Sequence, residues 1–289
     1  MLRKSIKETG KTLAFLGPEG TFSHQAACLF LKSSPPGAYL PHAYPSIPHI
    51  LYAVKKGEIT YGLVPVENSI EGSVNVTMDV LAGEQSIYIH EEIVLDIKHY
   101  LFSRELCLEQ IHKIMSHPQA IAQCRRFLEA KLKHADIIAT ESTAEAVRQL
   151  ADYREGYAAI GSWANYELYK VPVLCSDIGD YPHNQTRFLL VSNTVGSSKV
   201  THKTSLVLTL EKDRPGGLYD ILGEFAGQKI NLSRIESRPA KKELGSYLFF
   251  LDCEAGHDHP GLQAVINNLI DKKSLLKNLG SYPVFHNSR

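Results

Sequence analysis

Thr186 and Arg187, within Asn184-Gln185-Thr186-Arg187-Phe188, bring a hydroxyl and a permanent cation to the start of the apolar run Leu189-Leu190-Val191, with the Phe188 ring beside them. The loop before them carries Asp180, Tyr181 and His183. Such a set can seat a carboxylate and present a polarised O–H next to it. A guanidinium offers two parallel N–H bonds to a carboxylate, and a hydroxyl can donate as well as accept. Standing alone, a threonine and an arginine at a strand start read as a solvated edge. Three further junctions change that reading.

Gly17-Pro18-Glu19-Gly20-Thr21-Phe22-Ser23 links a strand to a helix, with Thr21 at the turn. Its glycines and hydroxyls leave backbone N–H groups free at a helix N-terminus, which favours an anion. The Gly-Lys-Ser/Thr ending of a phosphate loop is missing, so a nucleotide is disfavoured. Val64-Pro65-Val66-Glu67-Asn68-Ser69-Ile70-Glu71-Gly72-Ser73 leaves a buried strand with two carboxylates, an amide and two hydroxyls. Glu67 can hold a proton or orient a neighbour, and Asn68 can both donate and accept. Ser116-His117-Pro118-Gln119 enters a helix with proline in its first turn, and Gln123 lies one turn on, on the face of Gln119.

These junctions need strands and helices to bring them together. The first two thirds of the chain alternate accordingly, with strands expected at 12–16, 39–43, 62–66, 114–116, 137–140, 158–161 and 187–191. One long β region is expected at 86–102, and one helix at 118–132. Alternation of this kind predicts open parallel sheets covered by helices. In such sheets a ligand lies outside the carboxyl ends of the strands, so the four junctions would share one cleft. Their chemistry suits a small, oxygenated molecule rich in carboxylates.

A polar stretch with Gly and Ser at its centre, 193–203, reads as a linker. Beyond it the order is βαββαβ, the split βαβ pattern of a ferredoxin-like domain. There Arg214-Pro215-Gly216-Gly217-Leu218-Tyr219 opens a helix, and Glu236-Ser237-Arg238-Pro239 closes the next strand. Paired glycines at a helix start allow close approach of a ligand carboxylate or of another backbone.

Composition narrows the classes. A chain of 289 residues is too long for one ordinary core and suits two or three α/β units. Lys+Arg and Asp+Glu balance at 31 each, which argues against a nucleic-acid or acidic-membrane surface; an anionic ligand must be held by local groups. No run approaches the roughly 20 apolar residues that cross a bilayer, and 13–16 is too short for a signal-peptide core. Five scattered cysteines without a Cys-x-x-Cys pair read as reduced thiols of a cytoplasmic protein. The 13 histidines show no metal-like spacing, so no metal is expected.

Together these segments resemble prephenate dehydratase in its monofunctional form with a C-terminal ACT regulatory domain. The resemblance rests on 17–23, 65–69, 116–119, 184–188 and 236–239, in order, and spans nearly the whole chain. It implies a two-lobed, periplasmic-binding-protein-like α/β catalytic domain over 12–193, with one lobe at 12–90 plus 186–193 and the other at 91–182. A linker at 194–203 and a ferredoxin-like ACT domain at 204–283 complete it. The implied activity is decarboxylative dehydration of prephenate to phenylpyruvate in L-phenylalanine biosynthesis. No cofactor is implied. L-Phenylalanine is the implied allosteric effector, bound between subunits of a homodimer or homotetramer.

Carried onto this chain, the catalytic residues are Thr186 (proton donor or relay), Arg187 (carboxylate clamp) and Glu67 (proton reservoir or orienter). Thr21, Asn68, Ser69, Ser116, Gln123 and Phe188 would hold the substrate. The effector positions are Gly216, Gly217, Leu218, Asn231, Leu232, Glu236, Ser237, Arg238 and Pro239. One departure stands out: the family commonly has Gly-Ala-Leu-Val where this chain has Gly216-Gly217-Leu218-Tyr219. Two other functions fit the same features. Arogenate dehydratase differs by one ammonium on the substrate, and a non-catalytic aromatic amino-acid sensor would use the same polar junctions for reversible binding.

Overall fold

In the computed structural model, residues 10–152, 155–196, 198–210, 214–240 and 246–286 are described. The first lobe contains β1 (Lys11–Leu16), α1 (Phe22–Ser33), β2 (Tyr39–Tyr44), α2 (Ile47–Lys55), β3 (Tyr61–Asn68), β4 (Gly72–Ser73), α3 (Asn75–Gly83) and β5 (Tyr88–Asp96). The second lobe follows with β6 (Tyr100–Ser103), β7 (Lys113–Ser116), α4 (Pro118–Gln123), α5 (Arg125–Lys131), β8 (Asp136–Ala139), α6 (Thr143–Leu150), β9 (Tyr157–Gly161), α7 (Trp163–Tyr169) and β10 (Val173–Cys175). The chain then returns to the first lobe as β11 (Gln185–Ser192). A C-terminal domain adds β12 (Lys203–Thr209), α8 (Gly217–Gly227), β13 (Leu232–Pro239), β14 (Tyr247–Cys253), α9 (Pro260–Asp271) and β15 (Leu275–Tyr282), before a last strand, β16 (Val284–His286).

Three sheets result. The first runs β16-β5-β11-β3-β1-β2 with β4 beside β3, the second β10-β6-β9-β7-β8, and the third β13-β14-β12-β15. The third is the antiparallel ferredoxin-like order expected of βαββαβ. The architecture is therefore α/β throughout, two lobes followed by a ferredoxin-like domain.

Several boundaries differ from the sequence expectation. The β region at 86–102 is two strands in different sheets, because β5 pairs with β11 along its length while β6 pairs with β9. The crossover lies at Ile97-Lys98-His99, so 91–96 belongs to the first lobe and not the second. The helix expected at 118–132 breaks at Cys124. There Asp180 N–H takes the Gln123 carbonyl (2.7 Å), and the Asp180 carboxylate accepts from Arg126 N–H (3.1 Å), starting a second helix. The return strand β11 is antiparallel to β3, not parallel, so its start lies beside the end of β3: Thr186 faces Asn68 in register and Arg187 faces Glu67.

The third sheet is buried on both sides. Leu206, Leu208 and Leu251 meet Phe225, Val265 and Leu269 of α8 and α9. On the opposite face Val207, Phe250, Leu279 and Tyr282 join the first lobe's core with Ile50, Met78, Leu81 and Ile89. At roughly 1.5–3 kcal/mol for each buried aliphatic or phenyl side chain, Val207, Phe250 and Leu279 make this a docked domain rather than a tethered one. Among the described residues no helix is long and apolar enough to cross a membrane.

Candidate active site

The β3–β11 pairing sets two amides and a hydroxyl side by side. Asn68 Oδ1 accepts from the backbone N–H groups of Ile70 (2.9 Å) and Glu71 (3.0 Å), which fixes the orientation of its amide. Asn68 Nδ2 therefore donates, to Asn184 Oδ1 at 2.8 Å and to Thr186 Oγ1 at 2.9 Å. Asn184 Nδ2 in turn donates to Gln123 Oε1 (2.9 Å), and Gln123 Nε2 to the Glu71 carboxylate (3.0 Å). The resulting chain, Glu71–Gln123–Asn184–Asn68–Thr186, spans both lobes. Its consequence falls on Thr186, whose oxygen already accepts from Asn68. Among the described residues no acceptor takes the Thr186 proton, so that proton is free for a ligand.

Asn68, Gln123 and Thr186 of this chain line a cavity of about 350 Å³ between the lobes, within the range of small-molecule sites. Thr21, Asn68, Thr186 and Phe188 face it from the first lobe, and Gln119, Gln123 and Thr143 from the second. Two helix N-termini point at it from opposite sides. At α1, Thr21 Oγ1 caps His24 N–H at 3.2 Å, and Phe22 and Ser23 line the cavity at the helix start. At α6, Ser142 Oγ caps Glu145 N–H at 3.0 Å, and Ser142 and Thr143 line it. Open first-turn amides at a helix N-terminus attract anions. No lysine or arginine lines the cavity among the described residues. A dicarboxylate there would be met by neutral N–H groups from two directions.

The lobes also touch through a latch. Ser162 Oγ of the second lobe donates to the Gly20 carbonyl of the first (2.9 Å). Gly20 has φ +89°, and a Cβ there would lie 2.4 Å from Asn165 Oδ1. Only glycine fits this approach.

Four expected site residues lie elsewhere. Arg187 points away from the cavity because neighbours along a strand face opposite sides. It bonds Glu67 (2.7 Å), Glu92 (2.6 Å) and Asp252 (2.8 Å), the last from the C-terminal domain. Burial opposes its charge, but Asp252 and Glu92 outweigh that and hold its pKa above the ordinary arginine value. Arg187 is thus saturated with carboxylates and does not line the cavity. Glu67, its in-register partner, faces the same way and also meets Arg234 (3.6 Å). Ser116 is buried and donates to the Ile160 carbonyl of β9 (2.9 Å), so it supports the sheet. Ser69 ties the rim together by donating to His183 O (3.2 Å) and accepting from Gln185 N–H (2.9 Å).

The positions expected to bind an effector divide. Through β14, strand β13 runs parallel to β12, so 236–239 lies at the end where α8 begins with Gly216, Gly217 and Leu218. Asn231 and Leu232 lie at the opposite end of β13, where Asn231 bonds Glu254 (2.9 Å). Gly216 takes a left-handed φ of 82° with open space around it, and Tyr219 beside it is exposed. Ser237 and Pro239 are also exposed. Glu236 and Arg238 instead face the first lobe: Glu236 accepts from Ser73 Oγ, and Arg238 meets Asp79 at 2.7 Å.

Sequence reasoning gave no site role to Glu71, Asn184 or His99, although Asn184 lies in the Asn184–Phe188 segment and Glu71 in the junction that leaves β3. His99, in the crossover, carried no local signal. Among the described residues no group of three or more His, Cys, Asp or Glu is arranged to hold a metal ion.

Comparison with known proteins matches this arrangement. The prephenate dehydratase family model matches residues 13–195, and the ACT domain model residues 204–271. A prephenate dehydratase of Methanocaldococcus jannaschii is 40% identical over 279 residues, covering 95% of this chain and 99% of the relative. The crystal structure of a prephenate dehydratase from Arthrobacter aurescens in complex with L-Phe superposes with a TM-score of 0.82 at 34% identity, over 94% of this chain and 90% of that one. A prephenate dehydratase structure from Staphylococcus aureus gives 0.82 at 32% identity, over 94% and 99%. The chain belongs to the prephenate dehydratase family, in the form that carries a C-terminal ACT domain.

Proposed function

We propose that this chain converts prephenate to phenylpyruvate, water and carbon dioxide, under feedback by L-phenylalanine. The observation that carries the reading is the Asn68 N–H donated to Thr186 Oγ1 (2.9 Å) at the cavity wall. Breaking the bond from the ring to its carboxylate sends an electron pair into the ring, and the C–O bond to the ring hydroxyl breaks as the ring aromatises. The departing oxygen gathers negative charge and needs a proton. Thr186 offers one, and the charge that develops on its own oxygen is met by the Asn68 amide, a donor already in place.

A cavity lined by no lysine or arginine among the described residues suits the other half of the reaction. A carboxylate that leaves as carbon dioxide loses its charge. A cation holding it would stabilise the starting state more than the transition state. Helix amides at α1 and α6 can seat the dianion without that penalty, and Phe22 and Phe188 give the aromatising ring apolar walls.

The test is an absorbance assay for phenylpyruvate with purified protein. Thr186→Val, which keeps the shape and removes the O–H, should lower kcat about 10²- to 10⁴-fold. Near-normal turnover would remove Thr186 from the chemistry. For regulation, calorimetry on the whole chain should detect L-phenylalanine, and the same assay should show inhibition. Support for a homodimer or homotetramer comes from Ile235 and Tyr247 on β13 and its neighbour β14, where β13 is an edge strand; both are about half exposed (48%). We read the chain as cytoplasmic, in keeping with its free cysteines.

A further inference from the structure

His99 lies in the crossover between β5 and β6, is 2% exposed, and lines the same cavity as Asn68, Gln123 and Thr186. Its ring meets Phe22 edge-on with centroids 5.4 Å apart, and its Nε2 sits 2.9 Å from Gln123 Oε1. The proton on this ring can be located by following the network. The Glu71 carboxylate only accepts, so the Gln123 group facing it is the N–H₂. Gln123 Oε1 is thereby the group facing His99, and an oxygen only accepts. His99 must then donate from Nε2, and a neutral ring carries no hydrogen on Nδ1. That Nδ1 is buried and has no hydrogen-bond partner among the described residues. His99 thus carries an unpartnered acceptor on a ring that lines the cavity, and Thr186, which lines the same cavity, carries an unpartnered donor.

We propose that His99 is a further catalytic residue, whose Nδ1 accepts the hydrogen of the substrate's ring hydroxyl and so turns an oxygen lone pair towards Thr186. The inference rests on the prephenate reading above. A hydroxyl has one hydrogen and two lone pairs, and it can take a second proton only on a lone pair aimed at the donor. With its own hydrogen held by His99, the oxygen receives the Thr186 proton and leaves as water. Both hydrogens of that water are then accounted for: one was on the substrate, and one comes from Thr186, which is restored by a proton from solvent. No net proton passes through the imidazole.

The neutral ring is essential, since an imidazolium would present N–H at Nδ1. Burial keeps the pKa below its ordinary 6.5, opposed by the Gln123 bond and by the charge of Asp177. The ionisable groups around it are Asp177 from the segment after β10 and, across Gln123, Glu71 from the β3–β4 turn. His117 and Glu141 also line the cavity.

The experiment uses the full chain with prephenate, the uncatalysed rate being subtracted at each pH. His99→Gln keeps an amide N–H for Gln123 but loses the Nδ1 acceptor, and His99→Asn restores an acceptor near Nδ1. His99→Gln should lose about tenfold in kcat, the worth of one buried hydrogen bond, with KM nearly unchanged. His99→Asn should recover part of that loss. In the unmodified protein kcat/KM should fall as His99 protonates below pH 6.5, and this limb should vanish in His99→Gln. Adding His99→Gln to Thr186→Val should cost little more than Thr186→Val alone. Retained kcat in His99→Gln, a persisting acidic limb, or a full multiplicative loss in the double variant would overturn the assignment while leaving prephenate turnover intact. An unmodified protein that makes no phenylpyruvate would overturn the functional reading itself, and this inference with it.

Discussion

Arg187→Met tests where the active site ends and the structural core begins. Arg187 satisfies Glu92 and Asp252, which are only 1% and 4% exposed, as well as the more open Glu67. Removing it leaves Lys203 on Glu92 (2.7 Å) and Ser205 Oγ on Asp252 (2.5 Å), but among the described residues no cation on Asp252. Removing one partner of a buried ion pair costs about 3–5 kcal/mol, a large share of a total of about 5–15 kcal/mol. Urea unfolding should show that loss, while KM for prephenate, measured well below the midpoint, changes little. If Arg187 gripped a substrate carboxylate instead, the outcome would reverse. Loss of a charged hydrogen bond, about 1.5–3 kcal/mol, would appear in KM as a rise of roughly ten- to a hundredfold with the midpoint unmoved. That second pattern would refute the structural assignment. Asp252→Asn, made in the C-terminal domain, should lower the urea midpoint in the same direction as Arg187→Met.

Gly20→Ala should cost about 10²-fold in kcat/KM by holding the lobes apart, since its Cβ meets Asn165 Oδ1 at 2.4 Å; unchanged kinetics would mean that the latch is idle. Lys277 reaches from β15 to the carbonyls of Leu81 (3.2 Å) and Glu84 at the end of α3. Burial lowers its pKa from 10.5 to about 8, against the pull of Glu84. Between those values the unfolded chain holds the proton more often than the folded one, so folding stability gains as pH rises through the window. Relative to Lys277→Met, the urea midpoint of the unmodified protein should therefore climb from about pH 8 towards 10.5; parallel curves would show that this ammonium is not desolvated.

Thr21, Asn68, Thr186 and Phe188 were legible because each stands at or next to a strand-to-helix junction or a strand start, and such places share one edge of an α/β sheet, while Gln123 was legible from the helix face it shares with Gln119. Arg187 and Glu67 were misassigned by proximity. Each neighbours a residue that lines the cavity, yet the two-residue period of a strand sends it to the opposite face. Ser116 failed for another reason, as a buried hydroxyl takes the nearest free carbonyl, here that of Ile160. Glu71 and His99 act through tertiary hydrogen bonds to Gln123, and no local pattern encodes those. The break at Cys124 is equally remote, being imposed by Asp180 on a stretch that by itself reads as one helix. Burial of both faces of β12 was foreshadowed by its continuous apolar run, but what covers the second face was not.

Strand β16 pairs in parallel with β5, and Glu92 N–H donates to the Pro283 carbonyl at 3.0 Å. The regulatory module is consequently fastened at its entrance, where Lys203 holds Glu92, and again at its exit beside the same glutamate. A module pinned at both doorposts shares one wall with the first lobe, and that wall runs through Glu92 and Arg187 to the strand that carries Thr186.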